Sequence, residues 1–172
     1  MESDHQAQPR DAAEVSVNKM SLVIATVDPR EADVTALLQR HLDFCLSTTP
    51  AEHVYALDVE KLRTPDISLF GARVDGQLVA VGALRTLDSE HGELKSMHAA
   101  QEYRGQGYGK LILEYLIAFS KEQGLKRVSL ETGTPKEFLP ARRMYESFGF
   151  EECPAFGEYE ANPHSICMTR LL

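Results

Sequence analysis

Short apolar runs bounded by glycine, proline or charge alternate along this chain with longer stretches of helical period. Ser21-Leu22-Val23-Ile24-Ala25-Thr26-Val27 reads as a strand. Asp28-Pro29-Arg30-Glu31 follows, with an acid at the N-cap, proline at the first helical position and glutamate at the third. That capping-box start predicts a helix running to about Ser47. A second short helix is expected around Ala51 to Leu62, before Pro65. Two apolar strands, Ile67 to Val74 and Gln77 to Arg85, flank Asp75-Gly76, a pair that favours a two-residue turn of positive φ. A loop over residues 86 to 92 leads to a fourth strand, Glu93 to Ala100. A glycine-rich loop follows, then a helix over Leu111 to Gln123 ended by Gly124, then a fifth strand, Leu125 to Glu131. Pro140 opens a last helix that stops at Gly149. Phe150 to Cys153 and Ser165 to Leu171 close the sheet, with a loop between them. Residues 1–19 are polar, carry little apolar periodicity and read as a flexible tail, which leaves 20–172 as one domain. The order β-α-α-β-β-β-α-β-α-β-β predicts an α/β (α+β) fold. Its central sheet is mixed and mostly antiparallel, of six to seven strands, with helices on both faces.

The most informative stretch is Arg104-Gly105-Gln106-Gly107-Tyr108-Gly109-Lys110, between the fourth strand and the helix after it. Glycine lets a backbone approach a ligand closely and adopt positive φ. The first N–H groups of a helix lack intrahelical partners, and the helix dipole there favours an anion. Arg104 and Lys110 add charge at either end. The loop therefore predicts a cradle for a diphosphate-bearing cofactor. The spacing excludes two common forms. A P-loop requires Ser or Thr after Gly-Lys, where Leu111 stands. A dinucleotide fingerprint requires a third glycine where Lys110 stands.

Arg104-x-x-Gly107-x-Gly109 resembles the Gln/Arg-x-x-Gly-x-Gly/Ala signature of the GNAT superfamily, the acetyl-coenzyme A-dependent N-acetyltransferases. Glu93 to Ala99 resembles the family's fourth strand and Leu125 to Thr132 its fifth. Ala141-Arg142-Arg143-Met144-Tyr145-Glu146-Ser147-Phe148-Gly149-Phe150 is similar to its Ala-x-x-x-Tyr-x-x-x-Gly-Phe ending. The resemblance covers residues 20–172 in outline and is specific over 93–150. It implies acetyl-coenzyme A as co-substrate, with the pyrophosphate on Arg104, Gly105, Gln106, Gly107, Tyr108, Gly109 and Lys110. The pantetheine arm would then run along Met97, His98 and Ala99. It also implies a bulge in the fourth strand that aims a backbone N–H near Met97 or His98 at the oxyanion. The chain departs from many members in one place: Phe138-Leu139-Pro140 stands where they carry an asparagine that contacts the cofactor.

Two side chains are candidates for the chemistry. Glu93, eleven residues before Arg104, occupies the place of the general base in members that use glutamate, whereas other members use water; its plainer alternative is a strand-end surface carboxylate. Tyr145 occupies the place of the tyrosine that meets the departing sulfur as general acid; its plainer alternative is a ring packed beside Met144 and Phe148. Lys95 shares a strand face with Glu93 and could pair with it or with a substrate carboxylate. His98, His41 and His164 carry no comparable signal, and the six histidines show no metal-ligand spacing, so no metal is expected.

Composition narrows the partners. The formal net charge is −8, which argues against nucleic acid. Residues 1–60 hold 4 basic and 11 acidic groups, whereas residues 104–143 hold 8 basic and 4 acidic, so the basic segment is the one carrying the glycine loop. No apolar run is long enough to span a membrane, and no secretory signal opens the chain. Cys45, Cys153 and Cys167 are scattered, which points to a reducing, cytoplasmic setting. The expected activity is direct transfer of acetyl to a primary amine of a small molecule or protein, since no cysteine is placed as an acyl carrier. The resemblance implies an acceptor site over about residues 40–65 and 154–165, whose acidity either leans toward a cationic acceptor or is an ordinary acidic surface. Two rivals are a non-catalytic coenzyme A-binding module and an acyltransferase for longer acyl groups. A homodimer through the C-terminal strands is a further expectation from the resemblance.

Overall fold

A computed structural model describes residues 21–172. The tail expected over residues 1–19 lies outside the described residues. Seven strands form one sheet in the order β1-β2-β3-β4-β5-β7-β6. They are β1 (Leu22–Thr26), β2 (Ile67–Val74), β3 (Gln77–Thr86), β4 (His91–Ala99), β5 (Arg127–Gly133), β6 (Glu151–Cys153) and β7 (Ser165–Leu171). Only β4 and β5 run parallel. The β2–β3 hairpin turns at Asp75 (φ 48°) and Gly76 (φ 82°), both left-handed, as the Asp-Gly pair predicts.

Three helices cover the sheet: α1 (Ala32–Thr48), α2 (Tyr108–Glu122) and α3 (Leu139–Ser147). α1 lays Val34, Leu37 and Leu38 on Leu69, Leu78, Val81 and Ala83. α2 lays Ile112, Leu113, Leu116 and Ile117 on the other set of alternating strand positions, among them Phe70, Leu84, Leu94, Val128 and Leu130, and Tyr145 of α3 joins that layer. Alternation along β2 and β3 thus feeds two cores. Each fully buried aliphatic side chain contributes roughly 1.5–3 kcal/mol.

Two expectations are corrected. The capping motif forms, but as a turn ahead of the helix. The Asp28 N–H donates to Glu31 Oε1 at 3.1 Å, the Arg30 N–H donates to Asp28 Oδ1 at 2.9 Å, and α1 starts only at Ala32. Arg73 of β2 holds Glu31 and Asp33 together, and Glu31 keeps an extended ψ of 137°. The helix expected at Ala51 to Leu62 is instead two short 3-10 turns, Ala51–His53 and Lys61–Arg63. Between them Val54, Tyr55 and Ala56 line a cavity while Leu57 and Val59 pack toward the α1 core. Serving two surfaces within six residues suits an irregular chain better than one helical face.

The positioning feature lies in β4. Its pairing with β3 runs from Thr86↔Gly92 to Ala83↔Lys95, then resumes at Val81↔His98, so β4 carries one extra residue. Ser96 stands at the break with φ 53°. This is the expected bulge. Pairing between β4 and β5 covers only His91–Leu94 with Arg127–Leu130. Past Leu94 the two strands separate, and a cavity of about 600 Å³ opens between them.

Candidate active site

The cavity is lined by β4 after Leu94, the glycine loop, the end of β5, the start of α3, the second half of α1 and the segments around residues 53–56 and 159–164. Its volume falls in the usual range for small-molecule sites. At one end Gly107 caps α2 with φ 86°, and Gly105 holds φ 78°. A β-carbon there would be in left-handed strain, though it would meet no neighbour within 4 Å. The first backbone bond of α2 is Leu111 N–H to Gly107 C=O, at 3.1 Å. The N–H groups of Tyr108, Gly109 and Lys110 therefore precede any helical acceptor. Gly105, Gly107, Tyr108, Gly109, Arg104 and Lys110 all line the cavity, as do Met97, His98 and Ala99. Gln106 alone of the expected cofactor residues does not; it is exposed. Unpartnered N–H groups, two cations and an apolar trough with a free strand edge suit a molecule that is anionic at one end and a thin, amide-bearing arm at the other. The residues present thus fit coenzyme A. The buried Ser96 Oγ also faces the cavity without a protein partner. Phe138, in place of the family's asparagine, fills its corner with its ring against Gly133 and Phe44.

Further along lie the titratable groups. Glu93 is 2% exposed and does not line the cavity. Lys95 Nζ donates to Glu93 Oε1 at 3.0 Å and to the Tyr159 hydroxyl at 2.7 Å, and the Tyr159 O–H donates to the same Glu93 oxygen. Lys95 and Tyr159 therefore stand between Glu93 and the cavity. Two carboxyls do line it, Glu137 just before α3 and Glu131 on β5, the latter pushed up to about 7 by burial, while Lys95 pulls it down. Tyr145 is 6% exposed, touches the cavity and packs on Phe150 with ring centroids 5.9 Å apart. Burial and the nearby Glu131 raise its hydroxyl well above the ordinary phenol range, so it holds its proton. Cys45 lines the cavity with its thiol pushed up to about 11 by burial, which keeps it from acting as an acyl-accepting thiolate.

The histidines are closer to the site than their sequence signal suggests. His41 and His98 meet Nδ1 to Nδ1 at 3.2 Å inside the cavity, burial pulling them down to about 4 and about 3. His53 and His164 stack across it at 4.9 Å. Sequence reasoning also missed Glu131 and Tyr159. An acid inside an apolar strand is the one signal that marks Glu131. Tyr159 lies in an aperiodic loop and has none. Among the described residues no group of three or more His, Cys, Asp or Glu is arranged to hold a metal ion, and no helix is long and apolar enough to cross a membrane.

Comparison with known proteins agrees with this geometry. The sequence model of the acetyltransferase (GNAT) family matches residues 33–150. Over 139 residues the chain is 40% identical to the uncharacterized N-acetyltransferase YsnE of Bacillus subtilis (strain 168), covering 81% of this chain and 92% of that protein. A Klebsiella pneumoniae protein described as an acyl-CoA N-acyltransferase superimposes with a TM-score of 0.72 at 25% identity, over 88% of this chain and 97% of that one. A GNAT acetyltransferase of Elizabethkingia anophelis, solved with acetyl-CoA bound, shares the fold with a TM-score of 0.64 at 18% identity, over 88% and 98% of the two chains. This chain belongs to the GNAT family and is an N-acetyltransferase of the acetyl-coenzyme A-using type.

Proposed function

We propose that the protein transfers acetyl directly from acetyl-coenzyme A to a primary amine in a ternary complex in the cytoplasm. The observation that carries this is a single cavity with the glycine cradle of α2 at one end and Glu131 and Tyr145 beyond it. When bound, acetyl-coenzyme A supplies an acyl group already activated as a thioester. The protein's part is to align the amine, remove its proton, meet the developing oxyanion and protonate the sulfur.

The proton acceptor we assign is Glu131 rather than Glu93. Glu131 faces the cavity and changes charge near neutrality, which suits a general base. Glu93 is screened by Lys95 and Tyr159, and its role is to fix those two side chains. Tyr145, protonated and cavity-facing, serves as the acid. The bulge at Ser96 and the separated β4 edge support an oxyanion contact from the backbone N–H of Met97 or His98. The raised Cys45 thiol favours direct transfer over an acyl-cysteine relay.

Calorimetric titration of acetyl-coenzyme A, followed by amine-dependent thiol release, tests the reading. Micromolar binding that is lost in Gly107→Glu, together with thiol release on adding an amine, is the expected result. Binding without release for any amine leaves a coenzyme A-binding module, and failure to bind overturns the reading.

A further inference from the structure

The end of the cavity away from the glycine loop has its own chemistry. Two segments meet over it through aromatic rings. Tyr55, after α1, stands edge-on to Tyr159 of the β6–β7 loop, with centroids 5.0 Å apart and ring planes at 83°. His53 stacks on His164 of the same loop at 4.9 Å and 30°. All four rings line the cavity. The contacts tie the two segments into a roof, which suits a small molecule better than a protein chain. Ring-lined walls take up a second ring in edge-on or offset geometry.

The charges at this end are equally selective. Among the described residues three lysine or arginine side chains line the cavity: Arg104, Lys110 and Lys95. Arg104 and Lys110 belong to the glycine loop. Lys95, 9% exposed, is already bonded to Glu93 and to Tyr159. His41 and His98 are kept neutral by burial and bond to each other. No uncommitted cation faces Glu131. An acceptor ammonium thus finds a carboxylate partner, whereas a carboxylate on the neighbouring carbon would meet the Glu131 carboxyl with Lys95 already paired to Glu93.

From these walls and this charge balance we infer that the acceptor is a small arylalkylamine, an aromatic ring carrying a primary amine and no carboxylate. The inference rests on the transferase reading above. The ring lies among Tyr55, His53 and His164, and the amine reaches Glu131 beside the acetyl group.

The test uses the full chain with saturating acetyl-coenzyme A and four acceptors: 2-phenylethylamine, phenylalanine, spermidine and a short peptide with a free N-terminus. Thiol release is followed, products are weighed by mass spectrometry, and acetyl-coenzyme A binding is titrated in parallel. The expected kcat/KM for 2-phenylethylamine exceeds that for phenylalanine, which differs by the carboxylate alone, by about tenfold or more. Tyr55→Ala should raise KM for 2-phenylethylamine severalfold with acetyl-coenzyme A affinity unchanged, and Tyr55→Phe should restore it. A preference for phenylalanine, spermidine or the peptide overturns the inference. So does a chain that binds acetyl-coenzyme A and leaves 2-phenylethylamine untouched. Loss of acetyl-coenzyme A binding to the unmutated chain instead removes the transferase reading, and this inference with it.

Discussion

Glu131→Gln distinguishes a titrating carboxyl from one that only fills space, because glutamine keeps the shape and removes the charge. Burial places the Glu131 carboxyl at about 7, against an ordinary 4.5. Between those values the folded protein keeps a proton that the unfolded chain releases. Stability from this group is therefore fully present below pH 4.5 and is lost as pH rises through 7. The interval between 4.5 and 7 corresponds to at most ~3 kcal/mol at about 1.4 kcal/mol per pH unit, less whatever cavity water screens. Glutamine carries no such loss. The stability of the variant relative to the unmutated protein should thus rise by up to ~3 kcal/mol between pH 5 and pH 8. Urea unfolding at the two pH values measures this, and the midpoint gap should widen by about 1 M or more. In activity the unmutated enzyme should gain kcat/KM as pH rises through about 7, and the variant should lose most turnover together with that step. An identical midpoint gap at pH 5 and pH 8 would refute the raised titration and remove the argument for Glu131 as base.

Three further outcomes follow. Tyr145→Phe keeps the packing on Phe150, so the fold and acetyl-coenzyme A affinity should stand while kcat falls roughly a hundredfold; unchanged kcat in steady-state assays would exclude the acid role. Gly107→Ala places a side chain at φ 86° and should cost about 1 kcal/mol in thermal unfolding with weaker acetyl-coenzyme A binding. Gly109→Ala adds only an ordinary 3.6 Å contact with Met144 Sδ, so its stability should hold, and an equal penalty at both sites would contradict the backbone argument. Lys95→Met strands the buried Glu93 carboxylate and should destabilise by roughly 3–5 kcal/mol at pH 7, whereas the Lys95→Met, Glu93→Gln double variant should recover most of that in urea unfolding.

The strand order of the chain could be read wherever period and punctuation agree. Asp75-Gly76, the alternation of β2 and β3, and Gly124 and Gly149 (φ 79° and 83°) all act through local geometry, and local geometry is what a single sequence encodes. The cofactor end was readable for the same reason: glycine loop and helix start are adjacent in the chain. The acceptor end was not. It joins His53 to His164, Tyr55 to Tyr159 and Glu93 to Tyr159, pairs more than sixty residues apart in which every member but Glu93 lies in a segment without period. Glu93 could be placed on its strand, but its screening depends on a tyrosine of a distant loop. Residues 51–62 are expected from the sequence as a short helix before Pro65. The structure divides those side chains between the cavity and the α1 core instead.

The parallel pair β4–β5 is also the mechanical seam of the molecule. Among the described residues its four matched positions are the only direct strand pairing between a four-stranded block, β1 to β4, and a three-stranded block, β5, β7 and β6. Beyond Leu94 the blocks are held by side chains, chiefly those of α2, α3 and the Glu93–Lys95–Tyr159 cluster. A ligand filling the cavity, which the freed edge of β4 and the Leu130 to Gly133 end of β5 both line, touches both sides of that seam. Binding energy spent there becomes cohesion between the blocks. Slow amide exchange should accordingly spread on ligand addition from the centres of β3 and β4 into β5, whose neighbours across the seam are few. Catalytic geometry and fold cohesion are in this way set by one structural variable, the angle at which the two half-sheets part.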